Sequence, residues 1–433
     1  MIGFLRIYIT CRLTQTMAKT KTKTSKQAKS AQQSVKTMAN GNVKPKETPE
    51  QLYASAIELV EQSQPDEALK KAKKLWTQVQ KRSVTEALPA LNLLGEISVE
   101  LGDGEAARGY FEKAVTLDPT GEIPEAMGGG AEKFLWLAQL CEEGGQASVD
   151  WFERGVKALQ IEIAALESVG VPGMDEESLL MLRVEKKRKL ANALCGIVEV
   201  YMTDLSWEKD AEARCDALVT EAMAVEDETS AEVLQTLASV RLSQERREDA
   251  RAALTRSLES WIELESEDAA VPDFATRVSL ARLLMEAEME QQAMQVLQRL
   301  VAENDQSVEA WYLGGWCQHL MAEKLQAAPE VNKDGDADMS VGDQDSVMMA
   351  WKGSRNWLNM ALKLFDLLDY EDKRLFEHAK ALVAELDERL GPDETRPEGE
   401  DGAWEEWDGI ADGDEDVEDG SANGDEDEVM QDL

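Results

Sequence analysis

The sequence predicts an all-α fold, a superhelical solenoid of stacked helical hairpins. Apolar and small residues recur at steps of three and four along much of the chain, which is the spacing of one helical face. These helical stretches come in pairs, and turn residues such as Gly102, Asp103 and Gly104 separate the two members. The pairs return in a frame of about 34 residues. Since one hairpin cannot bury its own apolar face, the repeats are expected to stack on one another.

Residues 88–119 show the repeat most completely. The first helix has large apolar positions with small residues between them, the second has alternating small and aromatic positions, and Pro119 ends it. The matched positions are, in order, Leu91, Leu94-Gly95, Ser98, Ala107, Phe111, Ala114 and Pro119. This pattern resembles the tetratricopeptide repeat, a helix–turn–helix unit that forms solenoids.

Seven hairpins and one final helix are predicted between residues 48 and 390. The hairpins are expected from Pro49, at 88–121, from Phe134 through helix 151–168, from Leu194, at 231–264, at 274–307 and from Val308. An acidic insertion at about 325–346 splits the seventh hairpin, and helix 371–390 is expected to cap the open end of the array. The exact bounds of the third, fourth and seventh hairpins stay open at this point.

The charges divide the chain into three segments. Residues 1–46 carry ten Lys or Arg and no acid, whereas residues 391–433 carry nineteen Asp or Glu and the single Arg396. We therefore expect disordered tails at 1–47 and 391–433 on either side of an acidic repeat region at 48–390.

Two segments of the first tail, residues 1–16 and residues 19–29, each allow two interpretations. Residues 1–16 fit either a mitochondrial presequence or a start codon placed too early, with Met17 as the true start, and the second interpretation is favoured. The lysines of residues 19–29 form either a nuclear-import signal, which implies an import receptor as a partner, or a merely solvated tail.

The overall composition limits the class of function. The formal net charge is −40, so a nucleic-acid backbone is not expected as a direct ligand, and a basic protein segment is the natural partner. No apolar run reaches the length of a membrane span. The five cysteines are scattered and odd in number, which favours reduced thiols in the cytoplasm or nucleus.

The sequence offers no set of residues for catalysis. His319 and His378 are the only histidines, both in predicted helices, and each is interpreted as a surface or groove residue. No nucleophile and base are paired, so we expect no enzyme. Asp334, Asp336 and Asp338 resemble part of a calcium loop, but Met339 replaces the required glycine. No metal or cofactor is therefore expected.

A binding groove is predicted instead on the first helices of the hairpins. Tetratricopeptide folds turn fixed first-helix positions toward the concave surface, and here these positions are mainly acidic, amide or aromatic. They are Tyr53, Glu61, Asn92, Glu96, Glu100, Glu132, Trp136, Gln139, Glu142, Glu143, Asn192, Glu199, Gln235, Glu286, Glu309, Tyr312 and Trp316. Arg282 is the one basic residue at such a position, so the groove lacks the lysines with which one subfamily grips chaperone carboxyl termini. Acidic helical faces are often only solvated, but recurrence with aromatic residues favours binding of a Lys/Arg-rich segment.

The acidic tail carries two large apolar residues, Trp404 and Trp407. A segment so charged is not expected to pack, so the tail is interpreted either as a reversible clamp on a basic client or as a solubility element.

Taken together, the lysine-rich leader, the acidic repeats with an interrupted last repeat, and the tail GAWEEWDGIADGDEDVEDG resemble the fungal tetratricopeptide-repeat assembly chaperones of the large-subunit ribosomal protein L-four. The resemblance implies a monomer that captures a newly made basic ribosomal protein, prevents its aggregation and escorts it to the nucleus for large-subunit assembly. Two alternatives stay open, a scaffold subunit of a multiprotein complex and an acidic histone chaperone.

Overall fold

The structure is a computed structural model that describes residues 47–168, 170, 173–226, 230–327 and 341–391, with backbone alone at 341–344. Within these ranges it consists of fifteen α-helices and one short 3₁₀ turn, Glu125–Met127, and it has no strand. The helices begin at Pro49 and end at Leu390. The all-α fold predicted from the sequence is therefore confirmed.

Fourteen of the helices pair into seven hairpins. In chain order they are α1 (Pro49–Glu61) with α2 (Pro65–Val79), α3 (Val84–Glu100) with α4 (Gly104–Leu117), α5 (Glu132–Gln139) with α6 (Gly145–Ser168), α7 (Glu176–Met202) with α8 (Ala211–Val225), α9 (Ala231–Ser243) with α10 (Arg247–Glu259), α11 (Phe274–Glu286) with α12 (Glu290–Glu303), and α13 (Val308–Ala327) with α14 (Val341–Leu368). The last helix, α15 (Lys373–Leu390), packs on α14 and also reaches α13. It occupies the place predicted for the cap.

Local capping explains where several helices begin. Thr48 and Gln51 form a reciprocal capping box before α1, and Ser83 and Glu86 form another before α3. The second box starts α3 at Val84, four residues before the point at which the repeat pattern begins. Asp372 accepts hydrogen bonds from the backbone of the first turn of α15.

Small residues bring the two helices of a hairpin close together. Ala68, Ala107, Ala250 and Ala293 are all fully buried on second helices. A side chain at Gly95 would collide with the ring of Phe111, so the glycine lets α4 approach α3. Gly196 and Phe152 show the same arrangement between successive hairpins, because a Cβ added to Gly196 on α7 would lie 2.7 Å from the Phe152 ring on α6.

The third and fourth hairpins are longer than their neighbours. Helices α6 and α7 have 24 and 27 residues, whereas α9 and α11 have 13 each. The core runs along the whole array, and each helix packs mainly on the next helix in the chain, with further contacts between successive first helices. Among the described helices we find none with the length and hydropathy that a bilayer crossing requires.

Candidate functional site

The first helices of the first four hairpins bring charged and aromatic side chains to one shared surface. Tyr53 on α1 and Glu96 on α3 interact electrostatically, and Glu96 in turn interacts with Glu132 on α5 and Lys189 on α7. We call these four residues the first-helix face. Three of the four were predicted as groove residues, and the structure brings them together.

Glu96 is the most perturbed carboxyl group of this face. Its side chain is exposed at the surface, yet protein atoms around it reduce the hydration of its carboxyl group. This partial burial, together with the negative charge of Glu132, raises the pKa of Glu96 to about 7, although Lys189 opposes the rise. Partial burial and the charge of Glu96 also raise the pKa of Tyr53.

Lys189 neutralises the other carboxylates of this region. Its Nζ lies 2.5 Å from Glu132, 3.2 Å from Glu185 and 3.3 Å from Glu125 in the 3₁₀ turn. Lys189 was not among the predicted groove positions, because it lies in the part of α7 that precedes the regular repeat frame. Its spacing from Lys186, one helical turn away, was the signal that a longer helix would present both.

Lys186 on α7 fixes the 3₁₀ turn through an ion pair with its first residue. It is almost fully buried, forms an ion pair with Glu125, and lies 3.2 Å from Glu162 on α6. Burial and the neighbouring Lys189 lower the pKa of Lys186 to about 8. The residue after the 3₁₀ turn, Gly128, is held from α3, because the side-chain amide of Asn92 donates to its carbonyl oxygen at 2.9 Å. The residues between α4 and α5 are therefore fixed between α3 and α7.

Several other predicted groove residues remain accessible to a partner. Glu61, Gln139, Glu143 and Glu286 are exposed, while Glu100, Asn192 and Glu199 are half-buried. Their role in binding stays a prediction.

Other predicted groove residues are occupied by contacts within the chain. Gln235 is 4% exposed, so the packing around α9 removes it from an accessible surface. Glu309 is 3% exposed and forms an ion pair with Arg282, the one basic residue predicted in the groove. The prediction that these two positions are open to a partner was wrong, because packing buries Gln235 and Glu309 and Arg282 neutralises Glu309.

Two residues near the third hairpin also have partners that the sequence did not indicate. Trp136 is half-buried and stacks on Phe111, with ring centroids 6.1 Å apart. Glu142 follows α5 and forms an ion pair of 2.7 Å with Arg108 on the second helix α4, and this partner lowers the pKa of Glu142. Glu142 is therefore directed toward a second helix.

The cap covers the aromatic residues of the last hairpin. Tyr312 is 8% exposed, and its hydroxyl group lies 2.8 Å from Nδ1 of His378 on α15. The half-buried Trp316 packs against the edge of the same imidazole, with ring centroids 5.2 Å apart. The two aromatic side chains thus hold the cap and are not open to a partner.

The groups with chemical reactivity are mostly buried. Burial raises the pKa of the thiols of Cys195 and Cys317 to about 12 and that of Cys215 to about 11, which keeps them protonated near neutral pH. His319 is also buried, and burial lowers its pKa. It was predicted to lie at the surface or in the groove, so this placement is a correction.

One set of described residues brings together three groups of the kind that bind metal ions. Ligand atoms of His319, Glu323 and Glu385 lie within 4.8 Å of one another. However, Arg389 already pairs with Glu385 at 2.6 Å, so the charge of this cluster is partly compensated by the chain itself. The predicted residues Asp334, Asp336, Asp338, Trp404 and Trp407, and most of the acidic insertion, lie outside the described residues.

Seven stacked helical hairpins with small residues at the contact positions define a tetratricopeptide-repeat protein. In agreement, the family described as Tetratricopeptide repeat matches residues 88–120, the hairpin in which the pattern is most complete.

Comparison with known proteins specifies the class further. The chain is 44% identical over 402 residues to a protein of Emericella nidulans named "Probable assembly chaperone of rpl4", with 91% of this chain and 97% of that protein covered. It is 32% identical over 328 residues to a Schizosaccharomyces pombe protein of the same name, with 76% and 88% covered. The chain belongs to this family of assembly chaperones.

A solved structure agrees with the fold. It is titled "Assembly Chaperone of RpL4 (Acl4) (Residues 1-338)", and it superposes with a TM-score of 0.59 at 48% sequence identity. The match covers 64% of this chain and 98% of that one.

Proposed function

We propose that this chain is a dedicated, non-catalytic chaperone of a newly made basic ribosomal protein of the L-four type. Its relatives are named as assembly chaperones of rpl4, and this client chemistry suits an acidic repeat protein. The observation that carries the proposal is the first-helix face, where Glu96 presents a carboxylate that is open to solvent. A basic segment that lies along the first four hairpins would meet carboxylates and an aromatic ring in succession.

Binding on this face would rest on electrostatics with partial desolvation. Ion pairs between exposed groups weaken as salt rises, because mobile ions screen the charges. Charge complementarity also speeds the encounter between an acidic chaperone and a basic client. The bound client would be protected because its own basic segment is no longer free to attract polyanions such as RNA.

The proposal is tested by reversing single charges at two places. We expect Glu96→Lys to weaken capture of purified rpl4 by roughly tenfold or more, because it places a cation against a cationic client. Glu142→Lys changes the net charge equally, but Glu142 faces Arg108 on a second helix, so capture should stay close to the wild-type level. Equal affinities for the wild type and both variants, or equal binding at low and high salt, would reject the face as the binding surface.

The acidic tail is proposed to act as a second, tethered contact on the client. Carboxylates neutralise basic surface while Trp404 and Trp407 stack on arginine side chains, and the linkage gives the tail a high effective concentration. Truncation after Leu390 should then leave client binding in place but speed dissociation and permit RNA-induced aggregation of the client. Identical dissociation and protection with and without the tail would leave solubility as its role.

We further propose that the protein works as a monomer in the cytoplasm and nucleus, with an import receptor as a transient partner and without direct contact to nucleic acid or membrane. Purification of the native complex tests this. A single stoichiometric basic client supports the chaperone, whereas a large constant assembly indicates a scaffold subunit and recovery of core histones indicates a histone chaperone.

A further inference from the structure

Three side chains of the kind that bind metal ions meet where the capping helix packs on the last hairpin. His319 and Glu323 lie one turn apart on α13, and Glu385 lies on α15. Their ligand atoms, one imidazole nitrogen and two carboxylate oxygens, lie within 4.8 Å of one another. In a zinc site each ligand atom is about 2.0–2.2 Å from the ion, so the ligand atoms are roughly 3.5 Å apart. Small rotations of the exposed Glu323 and the half-buried Glu385 close this difference.

The imidazole of His319 is buried without a hydrogen-bond partner. The residue is 4% exposed, and its ring packs on that of Trp351 with centroids 4.8 Å apart. Nε2 lies 3.7 Å from Oε1 of Glu323, which is too far for a hydrogen bond. Across the described residues neither ring nitrogen is therefore hydrogen-bonded. A buried polar group in this state costs free energy, and an ion held between Nε2 and the carboxylates reduces that cost.

Arg389 leaves Glu385 able to bind an ion. Its Nη2 donates to one carboxylate oxygen, Oε1, at 2.6 Å, and the other oxygen, Oε2, has no hydrogen bond within the described part of the chain. The guanidinium group also lies over the ring of Trp351 and donates to Gln326 at 3.3 Å. Carboxylates that bind metal ions are commonly held by an outer hydrogen bond of this kind. With a neutral imidazole, two carboxylates and one guanidinium group leave a net negative charge, which suits a dication.

We propose that His319, Glu323 and Glu385 form a binding site for one Zn²⁺ ion or a similar divalent transition-metal ion. One imidazole nitrogen, two carboxylate oxygens and a water molecule make up the tetrahedral set that Zn²⁺ prefers. Mg²⁺ and Ca²⁺ fit less well, because they favour sites made of oxygen atoms alone. The sequence alone did not predict the site, because Glu385 joins the other two residues only through the packing of α15 on α13.

The bound ion fastens the cap to the last hairpin. Its ligands come together only in the folded chain, since the acidic insertion and α14 separate Glu323 from Glu385. An ion that binds the folded state alone stabilises that state, and the stabilisation grows with the concentration of free ion. This role does not involve the client, so it goes beyond the proposed function.

The test is titration of Zn²⁺ into the full chain after treatment with a chelator, in competition with a chromogenic zinc indicator. The wild type should bind one ion per chain more tightly than any further ions. Zn²⁺, but not Mg²⁺ at the same concentration, should also raise the temperature of thermal unfolding.

Variants at the two accessible ligands locate the ion. Glu323→Gln and Glu385→Gln should each weaken the tight binding at least tenfold, since loss of even an outer partner of a metal ligand costs about 10–100-fold. Glu388→Gln is the matched control, because it removes the same charge from an exposed position of α15 outside the cluster. His319→Gln should abolish the tight site. Because His319 is buried, circular dichroism without metal checks that this variant is folded, and the two glutamate variants carry the test if it is not.

The outcomes distinguish this site from the many other carboxylates of the chain, such as those of the acidic tail. If Zn²⁺ binds Glu323→Gln and Glu385→Gln as tightly as it binds the wild type, the ion lies elsewhere and the proposed site is rejected. An unchanged unfolding temperature of the wild type in excess Zn²⁺ rejects it as well. Loss of the tight binding and of the thermal shift in both variants, with both retained in Glu388→Gln, supports the site.

Discussion

The hydroxyl group of Tyr312 on α13 and Nδ1 of His378 on α15 lie 2.8 Å apart, and this hydrogen bond joins the last hairpin to the helix that caps it. Trp316 packs against the same imidazole ring, so one histidine contacts two aromatic side chains of α13. The contact explains how α15 reaches beyond its nearest neighbour α14.

Removal of this hydrogen bond should weaken the cap. We expect Tyr312→Phe to lower the free energy of unfolding by about 1 kcal/mol, because it deletes one partly buried hydrogen bond and leaves the ring in place. Urea denaturation measures the change. Tyr53→Phe is the control, since Tyr53 is an exposed residue at the other end of the array, and an equal loss in both variants would contradict the role of the contact.

Acidification should loosen the same end of the molecule. Burial and the nearby His319 lower the pKa of His378 below its ordinary value of 6.5. The unfolded chain therefore binds a proton more readily than the folded chain, so stability falls as the pH drops below about 6.5 and on through the lowered pKa of the folded state.

Urea denaturation at pH 7.5 and 5.5 measures this effect. The stability lost on acidification should be smaller in His378→Gln than in the wild type. Glu96 acts in the opposite direction, because its raised pKa makes acidification favourable to the folded state, so the comparison must be made between variants rather than from the wild type alone. An identical loss in both proteins would contradict the prediction.

Removing one partner of the ion pair between Lys133 and Asp118 should destabilise the protein strongly. Lys133 is fully buried and Asp118 is 3% exposed, and their atoms Nζ and Oδ2 lie 2.8 Å apart. Lys133→Met leaves the carboxylate buried without its cation, which typically costs about 3–5 kcal/mol.

Chemical denaturation should detect that loss, and the double variant Lys133→Met with Asp118→Leu should regain much of it, because no charge is then left unpaired. Lys70→Met serves as the control. It breaks the exposed pair with Glu67, which water and salt already screen, and should change stability far less than Lys133→Met does. A loss of similar size in both single variants would contradict the argument.

Two glycines should respond in opposite ways to the same substitution. Gly95→Ala places a methyl group against the ring of Phe111, and we expect it to destabilise the protein by about 1–3 kcal/mol. Gly109 lies within α4 and has open space around it, so Gly109→Ala should stabilise the helix by about 0.5–1 kcal/mol. Thermal unfolding of the two variants tests the pair, and a shift in the same direction would contradict it.

The repeat architecture was predictable from the sequence because it depends on local spacing. Ala107, Phe111 and Ala114 mark a buried face through steps of three and four, and each of them is fully buried in the structure. The same signal located the split last hairpin and the cap, since helical periodicity needs no knowledge of distant residues.

The site was only partly predictable, because contacts between side chains that are far apart in the chain produce no repeating pattern in the sequence. The fixed inward positions identified Tyr53, Glu96 and Glu132, but they did not include Lys189, which reaches the face from the extension of α7. They also included Gln235 and Glu309, whose burial depends on how neighbouring helices pack. The positions of a regular repeat therefore do not predict which side chains are exposed where one helix is longer than usual or where a capping helix covers the end of the array.

Because each helix packs mainly on its neighbours in the chain, the order of synthesis is also an order of assembly. All four residues of the first-helix face belong to the first four hairpins, which end at Val225. That surface can therefore mature while the later hairpins are still being translated, and α15 closes the other end last. The half of the protein that carries the first-helix face is therefore complete before the half that seals the array has been made.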